Sequence, residues 1–355
     1  MAVATARQEA EALAPRENPE LVGHAGAERL FLDAVRSGRM HHAWLITGPP
    51  GIGKATLAYR IARFMFAEGS TSPAAPADLS IDSASPVFRR VAAGGHTDLL
   101  TIERGIGQRG NLRTEIVVDD VRRVGEFLHL TPGEGGWRIV IVDSADELNR
   151  HAANALLKIL EEPPERALVI LVSHNPGRLL PTIRSRCRTL SLSPLGQAAV
   201  KRVLSLVEPD FTGAQVKEIA RLSRGSAGFA LDLVRHDGLR LNSDLEAIVS
   251  TLPRLDIPLM HALAERLAPA AAEPRYRIFR ELLMRWLADS IRRVAEAGKG
   301  ADLALTGGRR GSLDRWLEVW EKVGRLFERA DAVNLDRKQV LVAAFTAVQQ
   351  ASRPA

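Results

Sequence analysis

The chain has 355 residues, 46% of them hydrophobic and 25% charged. That length is too great for one ordinary core, and the composition excludes a disordered polymer or a disulfide-stapled miniprotein. One cysteine, Cys187, excludes an internal disulfide and a four-cysteine zinc site, and scarce aromatics (five Trp, two Tyr, ten Phe) argue against a base-stacking single-strand binder. The net charge of +6 comes from seven lysines and 41 arginines against 42 acids, a mild excess that permits nucleic-acid contact without requiring it.

In chain order, residues 1–20 mix Arg, Glu and Ala without an apolar run, and the longest apolar stretches are strand-sized. A bilayer span needs about 20 apolar residues, so no secretory or transmembrane segment is expected and the cytoplasm is the default compartment. Ala43–Thr47 reads as a strand, Gly48–Lys54 as a loop and Ala55–Ala67 as a helix. The Ser/Pro/Ala-rich segment 69–86, the Gly-rich connection 105–113 and the turn 131–137 read as non-regular. Arg138–Val142 and Ala167–Val172 are continuous apolar runs, as expected of strands buried on both faces. Between them Ala152–Glu162 reads as a helix, ended by Pro163-Pro164. Alternating β and α elements predict a parallel sheet flanked by helices.

After Leu195 the strand signals stop. Residues 196–233 read as short helices broken by Gly213, Gly225 and Gly228. Beyond about residue 240 three helical stripes follow, each at i, i+3, i+4, i+7 spacing. They are Phe279, Leu282, Leu283, Trp286, Leu287, Ile291 and Val294; Leu313, Trp316, Leu317, Trp320, Val323, Leu326 and Phe327; and Val340, Leu341, Ala344, Phe345 and Val348. They read as a bundle core, with an added oligomerisation role left open. A Gly- and charge-rich loop, 299–311, separates the first two.

Gly48-Pro49-Pro50-Gly51-Ile52-Gly53-Lys54 matches G-x-x-x-x-G-K between a predicted strand and a predicted helix, the context a phosphate loop requires. Its glycines allow backbone N–H groups to form an anion nest, and Lys54 is placed to reach the β/γ-phosphates. The next residue should carry a hydroxyl for Mg²⁺, but it is Ala55. Thr56 lies about 100° further round the helix and points elsewhere. Asp143, after the Arg138–Val142 run, stands where a Walker-B-like acid supports the metal through water, or alternatively caps a helix after the strand. Ser144 occupies the position at which an ATPase of this kind carries Glu. Both substitutions point to a phosphate loop that does not turn over nucleotide, with weakened binding left open.

The segment Asn154-Ala155-Leu156-Leu157-Lys158-Ile159-Leu160-Glu161-Glu162-Pro163-Pro164, a strand, then Leu180-Pro181-Thr182-Ile183-Arg184-Ser185-Arg186-Cys187, resembles the bacterial clamp-loader branch of the AAA+ proteins. The resemblance implies that Arg186 is an arginine finger acting in trans on ATP in a neighbouring subunit; the plainer alternative is a surface arginine in a salt bridge. Cys187 reads as a packed residue. Gly228 stands where the motor subunits (gamma/tau) carry a lid arginine. A degenerate ATPase with Arg186 retained resembles the delta prime, or stator, branch. His42-Ala43-Trp44, Thr131–Trp137 and Asn334-Leu335-Asp336-Arg337-Lys338 look the same way. Many relatives carry a four-cysteine zinc module after the first helix; residues 67–100 hold no cysteine, so no zinc is expected there.

The expected architecture is an α/β AAA+ P-loop domain (1–194), a small helical lid (195–240) and an all-α collar domain (241–355). The resemblance implies a subunit of the DNA polymerase III clamp loader, which loads the sliding clamp onto primed DNA. It implies gamma/tau and delta subunits as partners in a pentameric hetero-oligomeric ring, with no membrane contact. No cofactor is required, weak ATP or ADP binding stays open, and the chain's own ATPase is expected to be absent or very weak. An ATP-hydrolysing motor subunit and a standalone DNA-binding repair protein are the rival readings.

Overall fold

The computed structural model describes residues 14–67, 78–106, 113–133, 136–207, 211–297 and 311–353. Parts of the expected connections at 69–86, 105–113, 131–137 and 299–311 lie outside the described residues. The chain forms two compact units, 1–229 and 230–355.

The first unit is built on five parallel strands: β1 (Ala43–Thr47), β2 (Leu99–Ile102), β3 (Arg138–Asp143), β4 (Ala167–Ser173) and β5 (Arg188–Ser191). Their spatial order is β2-β3-β4-β1-β5. The inner strands β1, β3 and β4 are buried almost throughout, which explains their continuous apolar sequence. The edge strands β2 and β5 carry no such run; in β5 only Leu190 is buried.

Side chains alternate across the sheet with period two. Trp44, Ile46, Ile139, Ile141, Leu168 and Ile170 face helices α1 (Ala25–Arg36) and α2 (Lys54–Ala67). Leu45, Val140, Val142, Val169 and Leu171 face the other layer. Helix α3 (Pro86–Ala92) precedes β2. The opposite layer holds α4 (Val118–His129) and α5 (Arg150–Glu161), the latter capped by Asn149, whose side chain accepts from the Ala152 N–H at 2.9 Å. The short α6 (Pro181–Ser185) leads into β5.

Beyond the sheet come α7 (Gln197–Val207), α8 (Gly213–Ser223) and α9 (Ala227–Arg235). Here the expectation of glycine breaks needs correction. Gly213 and Gly228 lie in the first turns of α8 and α9, and only Gly225 forms the turn between them. The Thr212 side chain caps α8, so its start needs no preceding helix breaker.

Two arginines of α2 tie the irregular segment before α1 to the core. Arg60 donates to Glu28 at 2.8 Å and to the Pro19 carbonyl, while Arg63 donates to the Arg16 and Asn18 carbonyls at 3.1 and 2.8 Å. Both guanidiniums are buried.

The second unit is all helical: α10 (Gly238–Ser250), α11 (Ile257–Leu267), α12 (Glu273–Ala297), α13 (Gly311–Val333) and α14 (Arg337–Ser352). Phe279 of α12 meets Phe345 of α14 with ring centroids 6.0 Å apart, and Trp286 meets Trp316 of α13 at 5.9 Å. The α13 stripe is narrower than its sequence suggests. Trp316, Val319, Val323, Phe327 and Ala330 are buried, but Leu317 and Trp320 are 41% and 40% exposed. One face of α13 satisfies its packing, and these two large side chains fall outside it.

Removing one partner of a buried ion pair leaves an uncompensated charge. Glu28→Ala is therefore expected to destabilise the α/β unit by about 3 kcal/mol. Urea unfolding followed by circular dichroism checks this; a loss below about 1 kcal/mol would show that Arg60 needs only its carbonyl partner.

Candidate nucleotide site and arginine segment

Because all five strands are parallel, the residues after β1, β3 and β4 meet at one edge, the usual place for a ligand crevice. The phosphate loop follows β1, and Gly48, Gly51 and Gly53 all hold positive φ, at 143°, 71° and 107°. Lys54 opens α2, as the motif requires.

Four consecutive carbonyl oxygens of this loop are occupied from within the chain. Lys54 Nζ donates to Pro49 at 2.6 Å, Ser226 Oγ to Pro50 at 3.0 Å, the Gly228 N–H to Gly51 at 2.7 Å and His24 Nε2 to Ile52 at 2.6 Å. The start of α9 thus sits on the loop backbone. A Cβ on Gly228 would lie 3.1 Å from Gly51 Cα, and one on Gly51 would lie 2.3 Å from Ser226 Oγ. At this contact only glycine fits comfortably on either side.

Lys54 is buried, and that burial lowers its pKa to about 8, partly offset by Asp143 and Asp146. Ala55 offers no oxygen, and Thr56 is buried. Asp143 ends β3 and caps no helix; the α5 cap is Asn149. Burial raises the Asp143 pKa, opposed by a hydrogen bond from Ser144 Oγ at 3.2 Å. Ser144 Oγ also lies 2.9 Å from His174 Nε2, and the His174 N–H donates to Asp146 Oδ1 at 2.9 Å. Asp143, Ser144, His174 and Asp146 are therefore linked in one chain of hydrogen bonds. Sequence reading assigned no role to His24, Ser226 or His174, because their partners Ile52, Pro50 and Ser144 lie far away in the chain.

Arg186 lies at the other edge of the sheet. It stands two residues before Arg188, which pairs in register with Trp44 near the start of β1, whereas the phosphate loop begins after Thr47. At about 3.3 Å per residue the length of β1 separates the two edges by about 13 Å. Arg186 Nη1 donates to the Thr182 carbonyl at 3.1 Å, and Nη2 pairs with Glu161 Oε1 at 2.8 Å. Burial pushes the Cys187 thiol up to about 12, which fits a packed residue and not a nucleophile. Among the described residues no group of three or more His, Cys, Asp or Glu could hold a metal ion.

Residues 23–196 match the family model for the DNA polymerase III delta subunit. The chain is 36% identical over 185 residues to the delta prime subunit of Pseudomonas aeruginosa, covering 52% of this chain and 53% of that protein. Against the delta prime subunit of Escherichia coli K12 the identity is 34% over 243 residues, covering 67% and 68%. The chain belongs to the DNA polymerase III delta prime family. A gamma subunit of Buchnera aphidicola (subsp. Schizaphis graminum) is 28% identical, over 69% of this chain and 64% of that protein. The matched regions thus span about half to two thirds of these relatives. A solved gamma-related protein of Thermotoga maritima overlays loosely, with a TM-score of 0.42 and 18% identity across 91% of this chain and all of that one. Within the stretch 23–196 that the family model matches lie the whole phosphate loop, Asp143 and Arg186, whereas Ser226 and Gly228 lie beyond it.

Gly228→Ala should overpack the contact with Gly51 and cost about 1–3 kcal/mol. Gly196→Ala, whose Cβ would meet nothing within 4 Å, is the control. Equal thermal stability of the two variants would show that α9 does not bear on the loop.

Proposed function

We propose that this chain is a stator-type subunit of a bacterial clamp loader, which does not turn over ATP itself and supplies Arg186 to ATP held by a neighbouring subunit. The observation that carries the reading is the placement of Arg186 on the sheet edge opposite the chain's own phosphate loop. An arginine so placed can serve a nucleotide only on another subunit. Such a group can stabilise transition-state charge strongly at the site it reaches.

The chain's own site does not fit a magnesium nucleotide. Ala55 supplies no metal ligand, Lys54 is engaged with Pro49, Asp143 accepts from Ser144 and Asp146 from the His174 N–H. No cofactor is assigned to it. The loop shape persists because its carbonyls are held by neighbours in the fold, so its retention needs no bound phosphate. The delta prime names of relatives at 34–36% identity support this reading over the motor one.

The partners proposed are the gamma/tau and delta subunits in a pentameric ring, with the sliding clamp and primed DNA engaged through the complex, in the cytoplasm. The exposed Leu317 and Trp320 of α13 suit the second unit to a collar role, being large apolar groups left outside its core. Among the described residues no helix is long and apolar enough to cross a membrane.

Two measurements test the proposal. The purified chain should show no steady-state ATPase above background, and turnover abolished by Lys54→Ala would sink the stator reading. In a complex reconstituted with the gamma/tau and delta subunits, Arg186→Ala should leave assembly intact while lowering DNA-stimulated ATPase by at least about half. Unchanged rates would refute the finger assignment.

A further inference from the structure

Arg186 is a long, flexible side chain, and ordering it costs conformational entropy. Its two contacts in the chain differ in kind. Thr182, whose carbonyl accepts from Nη1 at 3.1 Å, belongs to the same short helix α6 that Arg186 ends, so this contact is local. Glu161 belongs to α5, which is anchored to the sheet by the buried Leu156 and Leu160. The Leu160 carbonyl is itself held by His42 Nε2 at 3.0 Å, just before β1. Glu161 is therefore the contact that ties the guanidinium to a second element of the α/β unit, beyond its own helix.

A second feature points the same way. Glu161 is the last residue of α5, where the helix dipole disfavours a carboxylate. The proline pair that follows stops the helix there. The pair with Arg186 offsets that cost. Glu161 engages one N–H on Nη2 and the Thr182 carbonyl one on Nη1, which leaves three of the five guanidinium donors, with the Arg186 side chain 37% exposed, for an outside anion.

We propose that Glu161 is a positioning residue for Arg186, holding the guanidinium at the surface in the orientation from which it meets a phosphate on a neighbouring subunit. This rests on the reading of Arg186 as a trans-acting finger. Preorganisation of this kind raises the rate at the served site more than it changes nucleotide affinity.

The test uses the reconstituted complex with gamma/tau and delta, measuring kcat and KM for ATP in DNA-stimulated hydrolysis. Glu161→Ala should lower kcat about twofold with KM unchanged, since an exposed pair contributes modestly. Glu161→Gln, which keeps an acceptor oxygen and loses the charge, should fall between Glu161→Ala and the parent. In an Arg186→Ala background, Glu161→Ala should cause no further loss. An unchanged or raised kcat in Glu161→Ala, or an additional loss in the double variant, overturns the proposal. If Arg186→Ala alone leaves kcat unchanged, the finger reading fails and this proposal with it. If Arg186→Ala lowers kcat and Glu161→Ala does not, only the positioning role fails.

Discussion

The phosphate loop is held in shape by the hydrogen bonds on four successive carbonyls, Pro49 to Ile52. Two of the four donors, Ser226 and the Gly228 N–H, come from the turn into α9, and a third is His24, just before α1. The loop is therefore the point where three distant stretches of chain converge. Three side chains and the backbone at the start of α9 hold the loop in place, and Ala55 brings no oxygen to it.

The parallel sheet divides the unit's chemistry between its two edges. The phosphate loop and Asp143 lie at the carboxyl ends of β1 and β3, whereas Arg186 and its partner Glu161 lie toward the amino ends of β1 and β5. No rotamer of Arg186 reaches back across the length of β1. The same chain order that sets the loop and Arg186 on one sheet keeps them at opposite edges of it.

Much of this was legible in the sequence, and the reasons for the rest are physical. Strands β1, β3 and β4 announce themselves because burial on both faces forces continuous apolar runs. Strands β2 and β5 do not, because an edge strand buries fewer side chains and Arg188-Thr189-Leu190-Ser191 has no pattern to read. Ala55 and Arg186 stood out because local motifs fix their positions. His24, Ser226 and Glu161 make their contacts with residues far away in the chain, which spacing does not encode. Gly228 was misread as a breaker, since sequence alone does not separate a glycine needed for close backbone approach from one that ends a helix. The exposure of Leu317 and Trp320 was hidden for a similar reason: a helical stripe shows which residues share a face, and not how wide a face the neighbours cover.

The arginines of α2 bear on where the α/β unit begins as a physical object. Residues 16–19 carry no regular structure, yet their carbonyls accept from Arg60 and Arg63, and burial lowers the Arg63 pKa to about 10. A desolvated cation without acceptors is among the costlier arrangements in a protein interior. Excising the unit at Ala25, where its first described helix starts, would leave Arg63 with neither of those acceptors and Arg60 with the Glu28 carboxylate alone. A plain irregular strand of backbone thus belongs to the interior as fully as any helix, and the smallest autonomous piece of this protein is set by its acceptors and not by its secondary structure.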